Sequence, residues 1–174
     1  MKIAKTLIIA LTLILGTNLQ AQTSETTGDI VDVAASSEAL STLVAAVKAA
    51  ELVETLKGVG PFTVFAPTND AFDALPEGTV ATLLKPENKE KLTAILTYHV
   101  VSGNIKAADV LKAIKSNDGA FTFPTVMGDT LTASVEAGNV ILTDGQGRKS
   151  TITNTDINTS NGVVHLIDTV VLPN

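Results

Sequence analysis

The chain has 174 residues, with 12 Lys and Arg against 18 Asp and Glu for a formal net charge of −6, one Tyr, no Trp and no Cys. That acidic balance argues against a nucleic-acid partner, because phosphate backbones select basic surfaces. Without cysteine there is no disulfide, no thiol chemistry and no lipid-anchored thiol, so the fold must be held by its core alone.

Taken from the start, Lys2 and Lys5 precede an apolar run over residues 7–15, followed by Gly16 and a polar stretch that includes Ala21. At roughly ten residues the run is too short for a spanning helix, which needs about 20. Residues 1–21 are read as a secretory signal peptide with Ala21 before the cut, although Leu19 is larger than the usual small residue two positions upstream. Residues 22–27 are rich in Thr, Ser and Glu and read as a flexible linker, so the domain is taken as 28–174. That length makes one domain of ordinary size and leaves no room for a second.

Asp29 opens a short segment carrying Ile30, Val31 and Val33, and Ser36 or Ser37 then caps a stronger helix with Leu40, Leu43, Val44 and Val47 on one face. The phase restarts at Leu52, Val53 and Leu56, and Lys57 and Gly58 end it. Next comes the run Gly60-Pro61-Phe62-Thr63-Val64-Phe65-Ala66-Pro67-Thr68-Asn69-Asp70-Ala71-Phe72. Its β-branched and aromatic centre between prolines predicts a short, largely buried strand. Thr68 or Asn69 is placed to cap the helix that follows, with Asp70 in its first turn and Phe72 turned inward. Val80, Leu83 and Leu84 predict a short helix, and Pro86 opens another with Leu92, Ile95 and Leu96.

Residues 96–101, Leu-Thr-Tyr-His-Val-Val, alternate as a strand would, which puts Tyr98 on one face and His99 on the other. A last helix is predicted over 106–115 on Val110, Leu111 and Ile114. Beyond it lie β-rich runs at 121–126, 130–135, 140–143, 150–153 and 163–172, separated by Gly128-Asp129, Gly138-Asn139, Asp144-Gly145 and Asn161-Gly162. That rhythm predicts an antiparallel meander. Helices first and strands afterwards predict an α+β domain.

The run from Gly60 to Phe72, in particular Phe65, Pro67, Thr68, Asn69, Asp70 and Phe72, resembles the first signature of the fasciclin domain family. The run Asn161-Gly162-Val163-Val164-His165-Leu166-Ile167-Asp168-Thr169-Val170-Val171-Leu172-Pro173 resembles the second, through Gly162, His165, Asp168 and Pro173. Between them, residues 96–101 resemble the family's tyrosine-histidine segment. The resemblance implies a fasciclin-like antiparallel β-wedge or sandwich with several helices packed along one side. It also implies a secreted adhesion or extracellular-matrix module, extracellular or periplasmic, with no cofactor. Matrix domains of the periostin type use the tyrosine-histidine motif in receptor binding, which makes Tyr98 and His99 candidates for partner contact. Asp156 and Ile157 occupy the place of a receptor-contact segment in the same family, though Asn154, Thr155 and Asn158 depart from its flanks.

The other constellations read as structural. His165 and Asp168 invite a triad with Ser150 or Ser160, yet three residues along a strand send side chains to opposite faces, and no G-x-S-x-G elbow is present. Asp156, Asn158, Ser160 and Gly162 look superficially like a calcium loop, but Asn161 and Ile167 stand where Gly and Glu are required. Two histidines without suitably spaced carboxylates make no zinc site. Tyr98 and His99 also have a core reading, in which a buried His99 needs a partner such as Asp70. The function expected is adhesion to a cell-surface or matrix protein or polysaccharide; the alternatives are a small-ligand or polysaccharide carrier in the cell envelope and a hydrolase.

Overall fold

The computed structural model describes residues 28–173; the signal-peptide and linker readings over 1–27 lie outside them. Helices come first: α1 (Ile30–Ser36), α2 (Ser41–Ala49), α3 (Val53–Leu56), then after strand β1 (Phe62–Pro67) helices α4 (Asn69–Asp73), α5 (Thr79–Leu83) and α6 (Lys89–Tyr98). Strand β2 (Val100–Ser102) and helix α7 (Ala107–Ser116) lead into β3 (Ala120–Pro124), β4 (Thr130–Glu136), β5 (Asn139–Thr143), β6 (Lys149–Thr159) and β7 (Gly162–Ile167). No single helix among the described residues is long and apolar enough to cross a membrane.

The seven strands form one sheet in the order β2-β1-β7-β6-β5-β4-β3. From β3 to β7 it is the expected antiparallel meander, but β1 pairs with β7 in parallel, Phe62 beside Gly162 through Pro67 beside Ile167, so the sheet is mixed. The edges nearly meet: Val101 bridges Thr125, and the Val126 N–H donates to Val100 O at 2.7 Å. A sheet curled almost into a barrel leaves little open edge for pairing with another chain.

Parallel pairing buries β1 on both faces, which is why its sequence is nearly continuous in apolar and small residues. Val64 and Ala66 face a core cluster shared with α1 to α4 and α6, while Phe65 faces a second cluster inside the sheet with Tyr98, Phe123, Leu131, Leu142 and Ile167. The strand's period of two thus divides the molecule into a helical side and a barrel side.

Two local expectations are corrected. Residues 96–101 are not one strand: α6 runs through Tyr98, His99 is its C-cap, and only Val100–Ser102 is extended. The alternation was real, but Leu92 and Leu96 also fit helical spacing, and packing on the helical core decides. Thr68 is the N-cap of α4 yet makes no side-chain cap bond, and Asn69 caps a different helix. Its Oδ1 accepts from Thr42 N at 3.0 Å and its Nδ2 donates to Glu38 O at 2.8 Å, tying the start of α4 to the start of α2.

Candidate functional site

β6 pairs with β5 over residues 149–151 and then runs past it, pairing with β7 from Ile152 to Thr159. Two register shifts interrupt this pairing, between Ile152 and Asn154 and between Asn154 and Ile157, and Asp156 sits in the left-handed region at φ 58°. Bulges of this kind re-aim side chains. Here the bulge turns the Asp156 carboxylate toward α7, where Oδ1 accepts from Ala107 N at 2.8 Å, satisfying one of the N–H groups that a helix start leaves unpaired.

His165 lies beneath this bulge, fully buried and stacked on Phe65 with ring centroids 5.6 Å apart. Its Nε2–H donates to Ile105 O at 2.9 Å, and its Nδ1 accepts from Asp156 N at 3.2 Å. Both nitrogens are committed in one neutral tautomer, and burial pushes the imidazole pKa below its ordinary value. Residues 154–161 fall between the β-rich runs predicted at 150–153 and 163–172; the structure makes them strand through Thr159, leaving Ser160 and Asn161 as the hairpin turn. Ile157, a receptor-contact candidate from the resemblance, is half-buried against the helical-side core. The outward surface is supplied by Asn154, Thr155 and Asn158, all exposed.

Tyr98 and His99, 0% and 2% exposed, hold the two ends of the chain's second half together. The Tyr98 hydroxyl donates to Thr130 O at 2.8 Å and accepts from Gly145 N at 3.1 Å, and burial raises its pKa. His99 Nδ1–H donates to Ile95 O at 2.7 Å, and its Nε2 accepts from Val171 N at 3.3 Å. Asp70, the partner expected from sequence, is exposed at the start of α4 instead. Burial lowers the His99 pKa to about 4, against the opposing pull of the Ile95 carbonyl and the Asp144 carboxylate.

Residues 168–173, beyond the last strand, are held largely by side chains. Asp168 accepts from Thr151 N at 2.7 Å, Thr169 Oγ1 at 3.1 Å and Ser150 Oγ at 3.4 Å. Burial would raise its pKa, but these bonds prevail and hold it below the ordinary carboxylate value. Ser150 Oγ also donates to Thr169 O at 2.8 Å, and the Pro173 carbonyl accepts from Gln146 Nε2 at 2.7 Å. Ser150 and Asp168 are therefore together, while His165 is bonded to Ile105 and Asp156. The triad is not assembled.

Two residues in the predicted turns, Asp144 and Asn161, do more than turn the chain. The buried Asp144 carboxylate accepts from Gln146 N, Arg148 N and Leu172 N at 3.0, 2.8 and 2.9 Å. Asn161 donates to Leu56 O and Gly58 O at 2.7 and 3.2 Å and accepts from Ile30 N at 3.0 Å, joining α1 and α3 to the hairpin. An Asx residue beside Gly was the available signal, since such side chains bond nearby backbone. Gly162 lies so close to β1 that an added Cβ would collide with the Phe62 carbonyl. A cavity of about 30 Å³ lies between α1, α2, α3, α6 and β1, and His99 is its only polar lining residue.

A curled mixed sheet flanked by helices, with its histidines and buried carboxylate used to pin backbone, defines an α+β scaffold. The chain belongs to the fasciclin family: the model of the fasciclin domain matches residues 38–173. It is 56% identical over 144 residues to Protein sll1483 of Synechocystis, covering 83% of this chain and 73% of that one. It is 40% identical over 151 residues to transforming growth factor-beta-induced protein ig-h3 of Sus scrofa, covering 84% of this chain but 19% of that much longer one. The fold matches a solved FAS1 domain pair from the insect cell adhesion molecule fasciclin I with a TM-score of 0.60 at 21% identity, over 76% of this chain and 45% of the pair.

Proposed function

We propose that the chain is a secreted, single-domain adhesion or matrix-binding module, exported by a signal peptide at residues 1–21 and working extracellularly or in the periplasm without cofactor or catalysis. The observation that carries this reading is that both histidines are fixed as neutral backbone staples: His99 between Ile95 and Val171, His165 between Ile105 and Asp156. A hydrolase of the Ser-His-Asp type needs its imidazole beside a nucleophile. The interior cavity of about 30 Å³ holds about two waters, too few for a carrier that encloses its ligand in the core.

The partner is a cell-surface or matrix protein or polysaccharide, and its site borders the β6 bulge, where a rigid scaffold carries the exposed Asn154, Thr155 and Asn158. Asp156 and Ile157 shape this surface from beneath, and Tyr98 and His99 support the scaffold behind it. Attachment of host cells to a surface coated with the mature protein tests the reading. Saturable attachment is expected. The exposed change Asn154→Arg, and the double change Asp156→Ala with Ile157→Ala assayed where it remains folded, should each weaken it by about tenfold or more. Absence of attachment by the folded wild type would remove the adhesion reading, and undiminished attachment by both variants would move the site.

A further inference from the structure

At the other end of β1 from the β6–β7 hairpin, α4 and α5 enclose an open groove of about 450 Å³. Its apolar lining includes Leu75, Pro76, Val80 and Leu84, and its charged lining residues are Asp73 and Glu77 alone. None of the five α5 side chains is fully buried. Val80 and Leu84 rest half-buried on the helical-side core, so this short helix keeps an apolar flank toward solvent.

The charges around the groove indicate what fits it. Among the described residues Asp73 and Glu77 have no cation within ion-pair distance; Lys85 and Lys89 face Glu87 and Glu51, and Lys91 lines the adjoining hollow that shares Glu77 and Gly78 without reaching ion-pair distance of Glu77. The imbalance is regional: residues 28–77 carry eight Asp and Glu against two Lys, and residues 78–173 carry nine against eight basic residues. An acidic rim repels anionic lipid surfaces. It also disfavours a second copy of this acidic chain. An apolar floor with charge confined to the rim has the layout of a protein interface, in which the centre excludes water and the rim selects the partner.

We infer that the α4–α5 groove docks a cationic amphipathic segment of a partner protein, its aliphatic side chains on Leu75, Val80 and Leu84 and its Lys or Arg side chains on Asp73 and Glu77. This surface is separate from the β6 bulge and goes beyond the adhesion reading.

The probe is a short synthetic peptide of leucine and lysine with leucines at helical spacing, titrated into the isotope-labelled protein. Amide shifts confined to residues 72–84 are expected. Ala81→Arg, at an exposed groove position, and the pair Asp73→Asn with Glu77→Gln should each weaken binding by about tenfold or more, the second also flattening its salt dependence. Asp118→Asn with Glu136→Gln removes the same charge elsewhere and should leave binding unchanged. Several results would overturn the inference: no binding, shifts spread over the acidic side, equal loss in the control pair, or equal binding by a peptide with serine for leucine. Concentration-dependent shifts at 72–84 without peptide would assign the groove to a second copy and equally overturn it.

Discussion

Mild acid is expected to destabilise this domain, and His99 is the reason. In the folded chain the imidazole is 2% exposed, gives its one proton to Ile95 O and accepts the Val171 N–H on the other nitrogen. A second proton would set N–H against N–H and place a charge in the core. The folded pKa is accordingly lowered from 6.5 to about 4. Because the folded value lies below the unfolded one, the unfolded chain binds the extra proton between these limits. Stability is therefore fully present above about pH 6.5 and is lost as pH falls toward 4. At about 1.4 kcal/mol per unit the whole difference is about 3 kcal/mol, with about 2 kcal/mol gone by pH 5. His165 is displaced in the same direction by burial and adds to the loss. Asp29 and Asp168, held below the ordinary carboxylate value of 3.8, weaken the fold only at lower pH. The assay is urea unfolding at pH 7.5, 5.5 and 4.5, followed by far-UV circular dichroism and by the single tyrosine, buried Tyr98. His99→Gln should cost about 1–3 kcal/mol at pH 7.5 and shrink the acid dependence to the part left by His165. Equal acid dependence in the two proteins, or none between pH 6.5 and 4.5, would refute the assignment.

Three further outcomes are expected. Asp156→Ala should lower stability by about 1–2 kcal/mol by leaving the α7 start unpaired, and Asp156→Asn, which tolerates the positive φ and keeps an acceptor, should recover most of it in the same melts. Gly162→Ala should abolish folding or drive the protein into inclusion bodies, because its Cβ meets the Phe62 backbone; a soluble variant with a native spectrum would refute the close approach. Protein collected after secretion from its host should lack about 21 residues by intact mass, and a species that retains Met1 would instead support a membrane-tethered form.

Much of this fold is legible because its patterns are strong and local. The helix faces of α1, α2 and α7, the meander from β3 to β7 and the buried strand around Phe65 follow from periodicity and turn residues alone. The parallel pairing of β1 with β7 is not legible in that way. It joins residues about a hundred positions apart, and a continuous run of small and apolar side chains says only that both faces are covered, not by what. The misreading of 96–101 has a related cause. Tyr98, His99 and Val100 suit a strand by composition, and tertiary packing extends α6 over the run's first three residues, Leu96, Thr97 and Tyr98, before the chain straightens.

The candidate site is harder to read because its polar residues act across the sequence and not along it. Asp156 and His165 looked like ligand or catalytic residues, since a carboxylate and an imidazole are the usual instruments of chemistry. Their bonds go instead to backbone groups of the 105–107 segment, which has no regular partner of its own. Asn161 and Asp144 looked like turn formers and prove to be long-range ties, from the hairpin to α1 and α3 and from the β5–β6 turn to Leu172. The common requirement is that buried backbone outside ladders must still be paired. In a sheet that is mixed, bulged and followed by an unpaired tail, side chains must supply those partners. A chain without disulfides that curls its sheet this tightly therefore concentrates its most chemical-looking residues at joints, where each pairs backbone that no ladder reaches.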